Sequence, residues 1–273
     1  MKQENISIKA MGTRLDIVLV NEDNFGLNDI LHEICSEILD LECKLSHFNT
    51  ESYVSEINRS GKVVLRGEAD IYELFLRCVD YCERTNGLFN VFGQNVSVSN
   101  ITFNDPDMEL CIDDENVDVD FGALGKGFAL DVVAKIIKSS DIYGALLNFG
   151  GSSILATGKR PEGVAWRIGV KSPIDEAVVL DKFELNNSVL STSSSVRMSG
   201  VRKLEKHIVN MNTGELVERI RQVSVLGKSG EIGEFLSTSG ILLELEAYKA
   251  LQSEYKDFAV HCHDFNEKYN NSI

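Results

Sequence analysis

The segment "VDFGALGKGFALDVVAKIIKSS" (residues 119–140) decides how the chain is read. Gly122, Gly125 and Gly127 surround Lys126 at the point where the pattern predicts that a strand turns into a helix running over 126–140. Residues without a Cβ let the backbone approach a ligand closely. A helix N-terminus offers free N–H groups and the positive end of its dipole to an anion, and Lys126 adds a full charge. The segment is not a P-loop, since GxxxxGK followed by Ser or Thr is absent. On its own it fits a structural strand–turn–helix as well as an anion site.

Upstream, "RLDIVLV" (14–20) reads as a strand, and Leu27, Ile30, Leu31, Ile34, Ile38, Leu41 and Leu45 recur at helical spacing. "EADIYELFLRCVDYCERTNG" (68–87) reads as a second helix with Gly87 as its stop. Downstream the period shortens. "GALLNFGGSSILATG" (144–158), "WRIGVKS" (166–172), "SVLSTSS" (188–194), "KHIVNMNTGE" (206–215) and "RQVSVLG" (221–227) read as antiparallel strands punctuated by Gly, Asn and Ser turns. A helix around 231–243, a short one near 246–255 and a last strand at 257–265 close the pattern. With three prolines and no linker, residues 1–273 are expected to form a single integrated α+β domain, mainly antiparallel sheets with packed helices.

Composition narrows the function classes. The 273 residues are 43% apolar and 25% charged, the usage of a globular protein. A net charge of −15 without any basic cluster argues against nucleic acid or an anionic membrane as partner. It also means that any phosphate site needs a local cation or a helix end. The six cysteines show no CxxC pair and read as reduced thiols, with Cys78 and Cys82 sharing a helix face. "MKQENISIKAMGTRLDIVL" (1–19) lacks the apolar run of a signal peptide and a lipid-attachment cysteine, so the chain as written is expected in the cytoplasm; no apolar stretch reaches the length of a membrane span.

Four further places carry candidate chemistry. Gly150 and Gly151 interrupt an apolar strand pattern, which marks either a bulge or close backbone contact with a cofactor. His207 precedes an Asn-Thr-Gly turn and is a candidate proton carrier or an ordinary surface histidine. Glu234 and Thr238 stand four apart on a helix, so their side-chain oxygens share a face, either solvated or able to hold a hard cation such as Mg2+. His261 and His263 fall on one face of a strand, a weak pair without a third metal ligand.

Taken in order, "MGT" (11–13), "SHFNTESYVSEIN" (46–58), "GLFNV" (87–91), "DFGALGKGFALD" (120–131), "LNFGG" (147–151), "HIVNMNTG" (207–214) and "GEFLST" (233–238) resemble the successive blocks of the ApbE family, the FAD:protein FMN transferases. The resemblance implies an ApbE-like, T-fold-like architecture and Mg2+-dependent cleavage of FAD, with FMN passed to a Ser or Thr of an acceptor protein and AMP released. The alternatives on the same fold are a non-catalytic FAD-binding protein and an FAD pyrophosphatase. It further implies that Met11 contacts the flavin, that Phe48 stands at the family's stacking aromatic, and that Leu88, Phe89 and Asn90 line the nucleotide. Asp120, Lys126 and Ile208 would bind FAD, the Ala123 carbonyl, Glu234 and Thr238 would hold Mg2+, and His207 and Lys126 would serve catalysis. The chain departs from the family pattern where Phe48 replaces Tyr, where Asn90, Ser152 and Glu234 replace Asp, and where Asn210 and Met211 replace Asp-Pro.

Overall fold

The computed structural model describes residues 1–23, 26–199 and 203–265. In chain order the elements are β1 (Lys2–Ala10), β2 (Thr13–Asn21), α1 (Leu27–Leu45), α2 (Tyr53–Ser60), β3 (Lys62–Val64), α3 (Ala69–Arg84), β4 (Ile101–Asn104), β5 (Glu109–Ile112), α4 (Gly125–Ser139), β6 (Gly144–Phe149) and β7 (Ser153–Gly158). They continue with β8 (Trp166–Lys171), β9 (Val179–Leu185), β10 (Ser188–Ser194), β11 (Val196–Ser199), β12 (Lys203–Lys206), β13 (Ile220–Gly227), α5 (Gly230–Leu242), α6 (Leu245–Glu254) and β14 (Ala259–Phe265). One seven-stranded sheet, ordered β1-β2-β6-β7-β10-β13-β14, has antiparallel pairing throughout. Three small sheets, β3-β5-β4, β8-β9 and β11-β12, surround it.

Strand alternation explains why both faces of the large sheet are covered. Leu15, Ile17, Leu19, Leu147, Phe149 and Leu155 point to one face and pack beneath α1 and α4 with Leu31, Ile34 and Ile38. Val20, Ile154, Ala156 and Leu190 point the other way and meet Trp166, Phe183 and Leu185 of the β8-β9 hairpin. Phe75, Phe92, Phe121 and Phe235 build another core between α3, the loop after it, and α5.

Several local readings are corrected. No strand leads directly into α4. Instead, Asp118 and Asp120 donate backbone N–H groups to Phe92 O and Val91 O, and Val119 N–H goes to Asn58 Oδ1. Gly150 and Gly151 are no bulge in a single strand. With φ of +56° and +83° they turn the β6-β7 hairpin, a backbone region L side chains avoid. His207 does not sit in a strand either, because β12 stops at Lys206 and Asn210 folds the chain into a turn that accepts Gly214 N–H at 2.8 Å. The N-terminal stretch, unassigned from sequence apart from 14–20, forms the full β1-β2 hairpin through a Met11-Gly12 turn with φ of +49° and +73°, the positive-φ pair of a tight hairpin.

His261 and His263 do share a face of β14. Both rings reach Asp181 of β9, through His261 Nδ1 at 2.8 Å and His263 Nε2 at 2.6 Å. Burial works to raise the Asp181 pKa, but the two imidazoles outweigh it and leave the carboxyl below its ordinary value. The pair therefore fastens the edge strand β14 to the β8-β9 hairpin. Among the described residues no group of three or more His, Cys, Asp or Glu is arranged to hold a metal. Nor is any described helix long and apolar enough to cross a membrane.

The tightest feature lies between α4 and α5. A Cβ at Gly127 would fall 2.3 Å from Gly230 O, and one at Gly230 would fall 2.6 Å from Gly127 O. Only glycine at both places lets the two helix starts touch. Gly127→Ala must force the backbones apart, and the expected loss is about 1–3 kcal/mol of stability, the usual range for overpacking. Urea denaturation reads this as a lower midpoint at unchanged slope; an unchanged midpoint would contradict the crossing.

Candidate functional site

The contact of α4 with α5 organises the site because each helix caps the other. Asp131 of α4 accepts from the first turn of α5: Gly230 N at 2.6 Å, Glu231 N at 3.0 Å and Ser229 Oγ at 2.7 Å. Burial raises the pKa of Asp131, and the three donors pull it part of the way back. In return Glu234 of α5 accepts the Gly127 N–H in the first turn of α4, at 2.8 Å from Oε2. A carboxylate at a helix N-terminus is favoured by the free N–H groups and the dipole, by up to about 2 kcal/mol when partly buried. Glu234 is 5% exposed, and its other oxygen accepts from Ser153 Oγ at 2.5 Å and lies 3.4 Å from Lys126 Nζ.

Two clefts open on either side of this junction. The main cleft, about 560 Å³, is lined by Leu88, Phe89 and Asn90, by Ala123, Lys126, Glu234 and Thr238, and by Arg197, His207 and Ile208. The second, about 610 Å³, is lined by Met11, Glu42, His47 and Phe48. Asp120, Gly122 and Lys126 line both, so they form the partition between them. The residues singled out from sequence thus fall into two groups: Met11 and Phe48 in the second cleft, the rest in the main one, with Asp120 and Lys126 shared.

Each side chain is held differently. Lys126 also donates to Gly122 O at 3.2 Å, and Asp120 Oδ1 accepts Gly122 N–H at 2.7 Å, which folds the glycine segment into a closed loop. Thr238 Oγ1 is 3.0 Å from Ser193 Oγ. Gly127 N–H goes to Glu234 while Phe128 N–H goes to Leu124 O, so the Ala123 carbonyl lacks a backbone donor among the described residues. A free carbonyl, a carboxylate and a hydroxyl on one cleft are the oxygen donors a hard cation takes. The residues therefore fit Mg2+ in kind, with Lys126 competing for the same carboxylate.

Phe48 is 86% exposed, and its ring centroid lies 3.8 Å from that of His47, whose Nδ1 is 3.3 Å from Asp120 Oδ1. Met11 N–H is anchored by Glu42 at 2.8 Å. On the main cleft, the Phe89 ring turns into the core against Tyr81 and Phe235. Asn90 donates to Val96 O and accepts from Phe92 N, so both amide atoms serve the loop 90–96, a double role that an ionised aspartate could not fill. His207 is exposed by area, yet partial burial of its ring and the nearby Arg197 charge hold its pKa below the ordinary value. It is neutral at pH 7 and able to accept a proton.

Sequence reasoning took Asp131 only as the end of the glycine-lysine block, without its capping role, and passed over His47, Ser153, Ser193 and Arg197. His47 stood beside the exposed aromatic in "SHF". The serines lay in a run that read only as strand, and only the fold places them under α5.

The comparisons with known proteins agree on a family. The ApbE family model matches residues 11–97 and 92–261. A Vibrio cholerae FAD:protein FMN transferase is 32% identical over 126 residues, 44% of this chain and 37% of that protein, so the matched stretch spans little more than a third of that relative's length. The Haemophilus influenzae FAD:protein FMN transferase is 23% identical over 94% of this chain and 85% of its own. Among solved structures, the ApbE protein of Thermotoga maritima superposes with a TM-score of 0.83 at 20% identity, covering 96% of this chain and 94% of its own. The Vibrio cholerae flavin transferase ApbE gives 0.81 at 20% identity over 97% and 96%. With the family model spanning nearly all of the described residues and the fold shared, this chain belongs to the ApbE family.

Proposed function

We propose that residues 1–273 act as one FAD:protein FMN transferase, cleaving FAD and passing FMN to a Ser or Thr hydroxyl of an acceptor protein. The observation that carries this reading is the junction of the two clefts. Lys126 and the glycine loop stand between a cleft edged by an exposed aromatic and one edged by polar side chains, which suits a molecule with an aromatic system at each end and a pyrophosphate in the middle.

In this mechanism Met11 and the face of Phe48 receive the flavin ring, and Leu88 to Asn90 and Ile208 border the adenylate. Lys126 shares the pyrophosphate charge. The Ala123 carbonyl, Glu234 and Thr238 would hold Mg2+, which when bound supplies Lewis acidity to the phosphate oxygens. His207 takes the proton of the acceptor hydroxyl as its oxygen attacks the phosphorus on the FMN side. The bond from that phosphorus to the bridging oxygen breaks, and AMP leaves with the electron pair. Phe48 keeps the stacking face of the family's Tyr without its hydroxyl.

Glu234 already accepts from Gly127 and Ser153 and neighbours Lys126, which favours a second reading: an FAD-binding protein without metal chemistry. One experiment separates the two. Purified protein is incubated with FAD and Mg2+, with and without a flavin-acceptor domain, and AMP and in-gel flavin fluorescence are followed. Transfer gives AMP together with a fluorescent acceptor, and pyrophosphatase activity gives AMP alone. Bound FAD without AMP would contradict the catalytic reading.

Two further outcomes follow from the geometry. Lys126→Ala should weaken FAD binding about tenfold or more, since a hydrogen bond to a charged group contributes about 1.5–3 kcal/mol. Lys126 lines the cleft but also faces the buried Glu234 at 3.4 Å, so the variant should stay folded with some loss of ligand-free melting temperature; unfolding would make Lys126 chiefly structural. Because His207 is held below the ordinary 6.5, it stays neutral further into acid. The acid limb of kcat/KM should therefore lie below pH 6.5, and a limb above that value would remove His207 as the base.

A further inference from the structure

We propose that Arg197 binds the phosphate of the adenylate half, an assignment that rests on the FAD-cleaving reading above. Among the described residues, Lys126 and Arg197 are the two permanently cationic side chains on the main cleft. They differ in position and in compensation. Lys126 lines both clefts, whereas Arg197 lines only the main one. The Lys126 ammonium is already met by Glu234 at 3.4 Å and the Gly122 carbonyl. Arg197 has a 65% exposed side chain and meets Glu205 at 3.7 Å, a carboxylate that Lys203 also approaches at 3.6 Å. Arg197 is thus the less neutralised of the two cations in a chain of net charge −15.

The fold places Arg197 in β11, the strand that follows β10, and Ser193 and Ser194 at the end of β10 line the same cleft. His207 follows β12, the strand paired with β11; Arg197 and His207 line the same cleft, and the Arg197 charge is felt at the ring. A guanidinium presents a planar fork of donors that matches phosphate oxygens, and it does not lose its charge. The rival role is structural, since Arg197 and Glu205 are direct cross-strand partners. An exposed pair at that distance adds little to stability.

With the flavin at Met11 and Phe48 in the second cleft, the phosphate facing Arg197 is the one that departs with AMP. Negative charge grows on that phosphate as its bond to the FMN phosphorus breaks. Arg197 then serves both substrate binding and leaving-group departure, while Lys126, on the partition, addresses both phosphates.

The test compares wild type, Arg197→Ala and Arg197→Lys in full-length protein by calorimetry with AMP, FMN and FAD, alongside steady-state kinetics. Arg197→Ala should weaken AMP and FAD roughly tenfold or more. FMN affinity and the melting temperature should stay unchanged. Arg197→Lys should recover part of the AMP affinity, and kcat should fall together with the rise in KM. With a wild type that binds FAD, equal losses for FMN and AMP in Arg197→Ala, or unchanged AMP affinity in that variant, would overturn this assignment alone. A wild type that binds no FAD would overturn both it and the transferase reading.

Discussion

The site depends on the exchange of carboxylates between α4 and α5. Asp131 closes the start of α5 and Glu234 closes the start of α4, and glycines at 127 and 230 bring the two backbones close enough for both. The exchange offsets the cost of burying two carboxylates, because each meets N–H donors at the positive end of a helix. It also fixes where Lys126, Ala123 and Thr238 stand relative to one another. A shift of either helix would move all three, so stability and site geometry are tied to the same contact.

Under the proposed function, that arrangement would give Glu234 two roles that compete. Its oxygens are committed to Gly127, Ser153 and Lys126, yet it lines the same cleft as Ala123 and Thr238, whose oxygens suit a cation. On that reading Glu234 would help hold Mg2+, which would supply Lewis acidity there, while its Oε2 accepts the Gly127 N–H. The longer side chain, where the family has Asp, is consistent with a carboxylate that reaches across to the neighbouring helix start.

Much of this was legible in the sequence, for physical reasons that differ between residues. The long helices announce themselves through apolar spacing, and Gly125-Lys126-Gly127 marks a helix start because few other patterns tolerate so little side chain. Glu234 and Thr238 were visible as a pair because four residues make one helical turn. The Asp131 cap was not, since its partners lie about a hundred residues away and no local pattern records them. Gly150 and Gly151 were ambiguous because a bulge and a hairpin turn ask for the same backbone freedom. Arg197 and His47 escaped notice because a single polar residue on a short segment has no period, and only the packing of the β11-β12 hairpin and of the loop after α1 carries them to a cleft.

The claim that Glu234 serves as both cap and cation ligand is tested most directly by the Mg2+ dependence of AMP release from FAD in wild type and Glu234→Gln. The amide keeps the shape and can still accept from Gly127 N–H, but it lacks the charge. The account predicts saturable Mg2+-dependent release in wild type and its collapse in the variant, with the melting temperature little changed. Release that needs no Mg2+, or full activity in Glu234→Gln, would contradict it.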